Sequence, residues 1–467
     1  MKKFDDQLVS GHILRSVWRL TWPVTLLNLV NGLHGFVDHV LVGQYLPSAT
    51  NAPNAAIGVA WQIFLVVVVF ISSLFHGMNV LISRYAGMQD RERMSEVAYH
   101  AFLSSIYILI FFLAPVGYLV APYLIDLMQA QPEVKLHALP YLRILFTCGA
   151  PLFLLFMVVG AFQASGDAKV PLVLGLLNTV LHVAISSSLI TGAGPLPALG
   201  TIGAAIGTVL APTVTVSIAL YLVIARKTIL KVPDRLTLIP DLNIMRVVGR
   251  IGLPSGMQGV LLNLGGVFLL VFIGMLPYSD SAQAAYTICY AQLFSLVTWT
   301  SFGLRNASST LMGQNIGAGK RERGKQAVSV AALLGLGWAG AVAIMFWAIP
   351  GQLLSLFAAT EEPIYGYGVS LLHWLAFSGL VLAPALALTG GLQGAGETKI
   401  PMYIAFATQI VLLLGMCGIF YITGTLTPNR VWLSIFVCHA ARMALTWAVF
   451  RTEGWTHTKL ELAAERA

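Results

Sequence analysis

Long apolar runs alternate with short polar breaks from one end of the chain to the other. Twelve runs stand out, at about 17–46, 55–83, 97–121, 138–162, 170–192, 201–225, 247–277, 282–311, 326–350, 367–392, 400–423 and 430–451. Each is near the ~20 residues that carry an α-helix across a bilayer. None shows the strict apolar–polar alternation of a barrel strand. Lipid offers stray backbone groups no water, so such runs must close their hydrogen bonds internally, as helices do. The pattern predicts an all-α integral membrane protein with 12 transmembrane helices.

The polar breaks then repeat. Gln163-Ala-Ser-Gly-Asp-Ala-Lys-Val-Pro171 returns 230 residues later as Gln393-Gly-Ala-Gly-Glu-Thr-Lys-Ile-Pro401. Arg91-Glu92-Arg93 after Gly87 returns as Arg321-Glu322-Arg323 after Gly317, again 230 residues on. Ile13, Arg15, Arg19 and Pro23 return as Ile244, Arg246, Arg250 and Pro254, offset by 231. The expected organisation is an N-terminal lobe at 1–225, a cytoplasmic linker at 226–246 and a C-terminal lobe with tail at 247–467. Each lobe holds six runs and starts on the same side, so the two six-helix bundles should be parallel repeats related by pseudo-two-fold symmetry.

Composition agrees with a membrane class: 57% of residues are hydrophobic and 10% charged, against about 25% charged in soluble domains. A net charge of +8 invites a nucleic-acid partner, but its distribution excludes one. Of 27 Lys and Arg, 22 fall in the N-terminus, the even-numbered loops and the C-terminus, and only Lys135 and Arg430 in the odd loops. Arg143, Arg305 and Arg442 fall inside spans. This positive-inside bias places both termini in the cytoplasm; the expected location is a bacterial-type inner membrane. The start, Met1-Lys-Lys-Phe-Asp-Asp, lacks a cleavable signal pattern. Cys148, Cys289, Cys417 and Cys438 sit in apolar runs and read as packing thiols, with no metal-ligand spacing.

One acid stands apart. Of 19 acidic residues only Asp38 lies well inside a span, where a carboxylate is costly unless protonated, paired or facing water. Asn28, Asn31, His34 and Asp38 fall within an arc of about 120° on that helix. Their counterparts at an offset of 231 are Gly259, Leu262, Gly265 and Leu269. Asn178 and His182 share a face of span five, and their counterparts at an offset of 230 are Thr408 and Leu412. Fold maintenance acts on both copies alike, so polarity confined to one copy points to function. Against this, a membrane Asn often only bonds a neighbouring helix, and His34 or His182 can be a packing histidine. The duplicated Gln-x-x-Gly turns read as architecture, and the two Arg-Glu-Arg loops as anchors at the membrane surface.

The chain resembles the multidrug and toxic compound extrusion (MATE) transporters over essentially its full length. Pro23, Val37-Asp38 and Gly43 in span one, Gln163-Ala-Ser-Gly-Asp167, Asn178, Gly203-Ala-Ala and Gln393-Gly-Ala-Gly-Glu-Thr-Lys-Ile-Pro401 carry the resemblance. It implies two six-helix bundles forming a V and export of cationic amphiphiles in exchange for H⁺ or Na⁺. In many members the coupling site is the span-one Asp with an Asn and a second Asp on span five. Asp38 and Asn178 match that pattern, but the second acid is His182 here. Members with acids in the second half would place them near Leu262 and Ala383, which are apolar.

Na⁺ is a hard cation that takes oxygen ligands, so an imidazole in place of a carboxylate favours H⁺ over Na⁺. The expected function is an antiporter exporting organic cations or amphiphiles by alternating access. Asp38, Asn178, His182, His34 and Asn31 would serve coupling, and Asn28, Tyr286, Tyr290 and Trp299 would serve substrate binding. For each aromatic, ordinary packing competes with that role. The expected partners are the bilayer and small cationic or amphiphilic compounds, with no nucleic acid, no metal, no cofactor beyond the ion gradient, and a monomeric state. No nucleotide loop or nucleophile–base pair suggests an enzyme. The alternatives are a lipid-linked oligosaccharide flippase of the same superfamily, which would want clustered cations, and a Na⁺-coupled exporter. A non-transporting receptor would not need a buried acid.

Overall fold

A computed structural model of the chain describes residues 4–45, 52–128, 130–192, 197–234, 236–357, 359–452 and 454–457. Side chains are described at these positions except 31–41, 43–45, 54, 66, 70 and 456–457. Among the described residues each expected apolar run lies on a helix or on consecutive helical segments. The first half holds α1 (Ile13–Tyr45), α2 (Ala52–Gly87), α3 (Arg91–Leu127), α4, α5 (Lys169–Thr191) and α6 (Thr201–Ile224). Helix α4 has two parts, Pro132–Cys148 and Ala150–Ala164, meeting at 51°. The second half holds α7 (Leu242–Gly274), α8, α9 (Arg321–Ala348), α10 (Ile364–Gly394), α11 (Lys399–Ile422) and α12 (Pro428–Arg451). Helix α8 runs through Ser279–Tyr286, a π-helical Thr287–Leu293 and Ser295–Gly317. Among the described residues nine helices are long and apolar enough to cross a bilayer, ten if the bent α4 counts as one span. Helices α1 and α8 occupy the other two expected runs.

The duplicated turns are built alike. Gly166 and Gly396 have φ of 93° and 95°, a region that a side chain disfavours. The following acid caps the next helix: Asp167 Oδ1 accepts from Val170 N at 3.3 Å, and Glu397 Oε1 from Lys399 N and Ile400 N at 3.1 Å. Those caps satisfy amides that a helix start leaves without partners.

The chain forms two compact units, and their borders do not run through the linker. One unit takes Val30–Leu253; the other takes Asp6–Leu29 with Pro254–Leu460. The start of α1 therefore packs with the second half, and the start of α7 with the first. In the first unit α7 crosses α2 closely enough that a Cβ on Gly252 would strike the Ser73 carbonyl and one on Gly77 the Val248 carbonyl. In the second unit, Gly303 of α8, 230 residues after Ser73, lies against Thr25 of α1.

The second Arg-Glu-Arg loop, expected to anchor at the membrane surface, holds the start of the chain. Beyond Arg323, Lys320 Nζ donates to Val9 O at 3.0 Å, and Asn315 Nδ2 to Leu8 O at 3.4 Å. Arg323 NH2 donates to Ser16 Oγ at 3.3 Å. They hold the chain that leads into α1. In the first unit, α3 holds the chain that leads into α7. Tyr99 Oη donates to Thr237 O at 2.9 Å, His100 Nδ1 accepts from Asp241 N at 3.2 Å, and Ser95 Oγ accepts from Lys231 N at 3.1 Å.

Each unit has its own core. Phe64, Phe146, Phe153 and Tyr141 fill the first, where Trp61 Nε1 donates to Tyr141 Oη at 3.1 Å. Trp432, Phe294, Phe346 and the leucines of α10 fill the second.

Candidate functional site

Helix α5 begins at the Asp167 cap, which sets its register. That register places Asn178, His182 and Ser186 at successive four-residue steps, on one face toward α6. Asn178 is 7% exposed and His182 1%. The Gly203 and Gly207 positions bring α6 close: a Cβ on Gly207 would strike Ser186 Oγ. His182 Nε2 lies 3.3 Å from Thr208 Oγ1, and that hydroxyl donates its single proton to Ala204 O at 3.0 Å. The Thr208 hydroxyl is thus shared between the Ala204 carbonyl and the imidazole.

The residues expected on α1 divide. Asn31, His34 and Asp38 belong to the helix, but their side chains lie outside the described residues. Asn28 belongs to the other unit and donates through Nδ2 to Val24 O of its own helix at 2.8 Å. Of the expected aromatic residues, Tyr286 and Tyr290 stack at 4.9 Å with planes 10° apart. Tyr286 also stacks on Trp432 at 6.4 Å. Both tyrosines pack with the second unit's core. Trp299 stands apart, edge-on to Phe302 at 5.8 Å.

The second unit holds a polar cluster that the sequence reading did not assemble. Arg442 of α12 is 5% exposed. Its NH2 donates to Gln409 Oε1 at 2.7 Å and its Nε to Thr408 Oγ1 at 3.4 Å. Thr408 and Gln409 lie on a π-helical stretch of α11, Phe406–Leu414, whereas the matching stretch of α5 is regular. A Cβ on Gly265 of α7 would strike Gln409, so the glycine makes its room. Gly265 is the counterpart of His34, and Thr408 that of Asn178. The signal was present in the sequence as a span arginine, but 33 residues separate it from Gln409. The other span arginines are covered by rings: Arg143 lies 4.3 Å from the Tyr118 centroid and Arg305 5.3 Å from that of Phe302. Gln393 of the repeated turn donates to Gln258 Oε1 of α7 at 2.8 Å, tying α10 to α7.

Duplicated, membrane-long helices with polar groups held inside each unit define a secondary-transporter class. The MatE family profile matches this chain twice, over residues 23–187 and 254–417. The chain belongs to that family, the multidrug and toxic compound extrusion transporters: it is a multi-pass membrane transporter and not an enzyme. It is similar to the probable multidrug resistance protein YoeA of Bacillus subtilis, 27% identical over 84% of each chain. It is also similar to an FAD transporter of Shewanella oneidensis, 26% identical over 81% of each. Its fold matches the outward-facing structure of a multidrug resistance MATE family transporter of the MOP superfamily, with a TM-score of 0.87 at 22% identity, over 97% of this chain and 98% of that one. The all-helical fold expected from the apolar pattern is thus the fold of this family.

Proposed function

We propose that the chain exports amphiphilic organic compounds, cations among them, in exchange for protons. The observation that supports this best is the Asn178–His182 face. It is buried, it is set against Thr208, and the second half does not repeat it. Asp38 on α1 would bind either the exchanged proton or a cationic compound. Protonation removes its charge and releases the cation on the far side. His182, buried against Thr208, would serve that exchange as a hydrogen-bonding partner on α5. An imidazole in this set argues against Na⁺, whose ligands are oxygens. Each charge carried across the membrane is worth about 2.3 kcal/mol per 100 mV.

The test is ethidium efflux from proteoliposomes under separate pH and Na⁺ gradients. Efflux should follow the pH gradient and fall at least about tenfold in Asp38→Asn, the range of a lost general proton acceptor or more. Efflux driven by Na⁺ alone would refute proton coupling. A second reading, export of a nucleotide-like metabolite, is supported by the relative named as an FAD transporter. Efflux of FAD in place of ethidium would select it.

A further inference from the structure

We infer that Arg442 is an anion-binding group, placed to take the carboxylate or phosphate of a transported aromatic compound. The inference rests on the transporter reading and adds a substrate class to it. The guanidinium is 5% exposed within a membrane helix, and its partners are all neutral: Gln409, Thr408 and the Cys438 sulfur. Among the described residues no carboxylate pairs with it. A guanidinium has five donors in a planar fork, and these partners orient it without neutralising it. One turn earlier on α12, His439 Nδ1 is buried without a hydrogen-bond partner among the described residues, in a side chain 4% exposed. A guanidinium without a counter-charge and an unpartnered imidazole nitrogen, on one helix and one turn apart, leave room for an anion that the first can pair and the second can hydrogen-bond.

A purely structural tie between α11 and α12 explains these features less well. A buried charge costs more than a neutral residue of similar size, and burying one alone is the most expensive choice. Helices α6 and α12 match end to end at an offset of 227, which sets Thr215 at the place of Arg442, so the first copy carries no charge there. The unusual features converge instead. The π-helical stretch carries Thr408 and Gln409, Gly265 leaves space for Gln409, and Arg442 meets both. π-Helical turns are frequent at functional sites. A run of rings leads to the cluster: Trp432, Tyr286, Tyr290, Phe294 and His439, each with a ring centroid 4.9 to 6.4 Å from the next. A flat apolar body beside these rings with its acid on the guanidinium fork would satisfy both parts. Arg–carboxylate and Arg–phosphate pairs are bidentate and strong.

The experiment measures binding without a gradient, by fluorescence polarisation on the protein in nanodiscs. Rhodamine B, with a free carboxylate, is compared with rhodamine 6G, an ester. Riboflavin 5′-phosphate is compared with riboflavin. Arg442→Gln should weaken at least one acid by about tenfold to a hundredfold, the range for a lost charged hydrogen bond, and change the matching neutral-headed probe by less than about twofold. Arg442→Lys should keep part of the affinity, because it keeps the charge and loses the fork. Which acid responds identifies the source of the anion. Equal weakening of acid and ester would mark Arg442 as a helix tie and overturn the proposal. Unchanged acid binding in Arg442→Gln would also overturn it, as would a wild type that binds neither acid. Acid binding with the expected Arg442 dependence, but no efflux under any gradient, would count against the exporter reading alone.

Discussion

Gly166 and Gly396 do the same task at the same φ, and their surroundings match through the acid caps on Val170 and on Lys399 and Ile400. Alanine at either should cost about 1–2 kcal/mol, the penalty of a left-handed backbone for a residue with a side chain. The two losses should be nearly equal when thermal stability is followed in detergent by size-exclusion after heating. His182 is a different case, because its setting has no twin. Thr208→Val removes the hydroxyl that meets His182 Nε2 inside the bundle, at a cost of about 1–3 kcal/mol. If His182 shares the coupling proton, the pH profile of efflux should shift in that variant while Thr215→Val, a buried threonine one helix turn pair further on, leaves it in place. An unmoved profile with lowered stability would assign His182 to packing alone.

Helices were the legible part, since an apolar run in lipid has one way to satisfy its backbone. The repeat was legible because Gly, Pro and a capping acid must recur wherever the same turn recurs. The Arg442 cluster was not, for a physical reason. Period and offset reveal positions that are alike, whereas this cluster uses Arg442 where the first copy has Thr215, and a π-helical stretch where the first copy is regular. A π-helix leaves no mark in an apolar pattern, and Gln409 meets Arg442 only once α11 and α12 pack. The close crossings of α2 with α7 were also hidden, because a glycine among many glycines carries no label. Gly252→Val should destabilise the protein by about 1–3 kcal/mol, as overpacking does, since the atom in its way is the Ser73 carbonyl and backbone cannot step aside. Gly249→Ala, three residues earlier with open space around its Cβ position, is the control and should be neutral or stabilising in the same unfolding assay.

At the scale of the molecule each unit is completed by a segment from the other half of the chain. Arg323→Ala should speed hydrogen exchange of the amides at 7–16 and leave those at 237–241 unchanged, and Tyr99→Phe should do the reverse. Mass spectrometry of the intact protein in detergent reads both at once, and a rise at both places in either variant would show that the clasps do not act separately. Each repeat lends the opening of its first helix to the other: Asp6–Leu29 goes to the second unit, and the segment ending at Leu253 goes to the first. A half expressed by itself would carry its own opening with nowhere to seat it, and an empty seat where the other's belongs. Two copies of a single half could fill each other's seats. The arrangement is that of two segment-swapped chains joined end to end, so each half is complete only in the presence of the other.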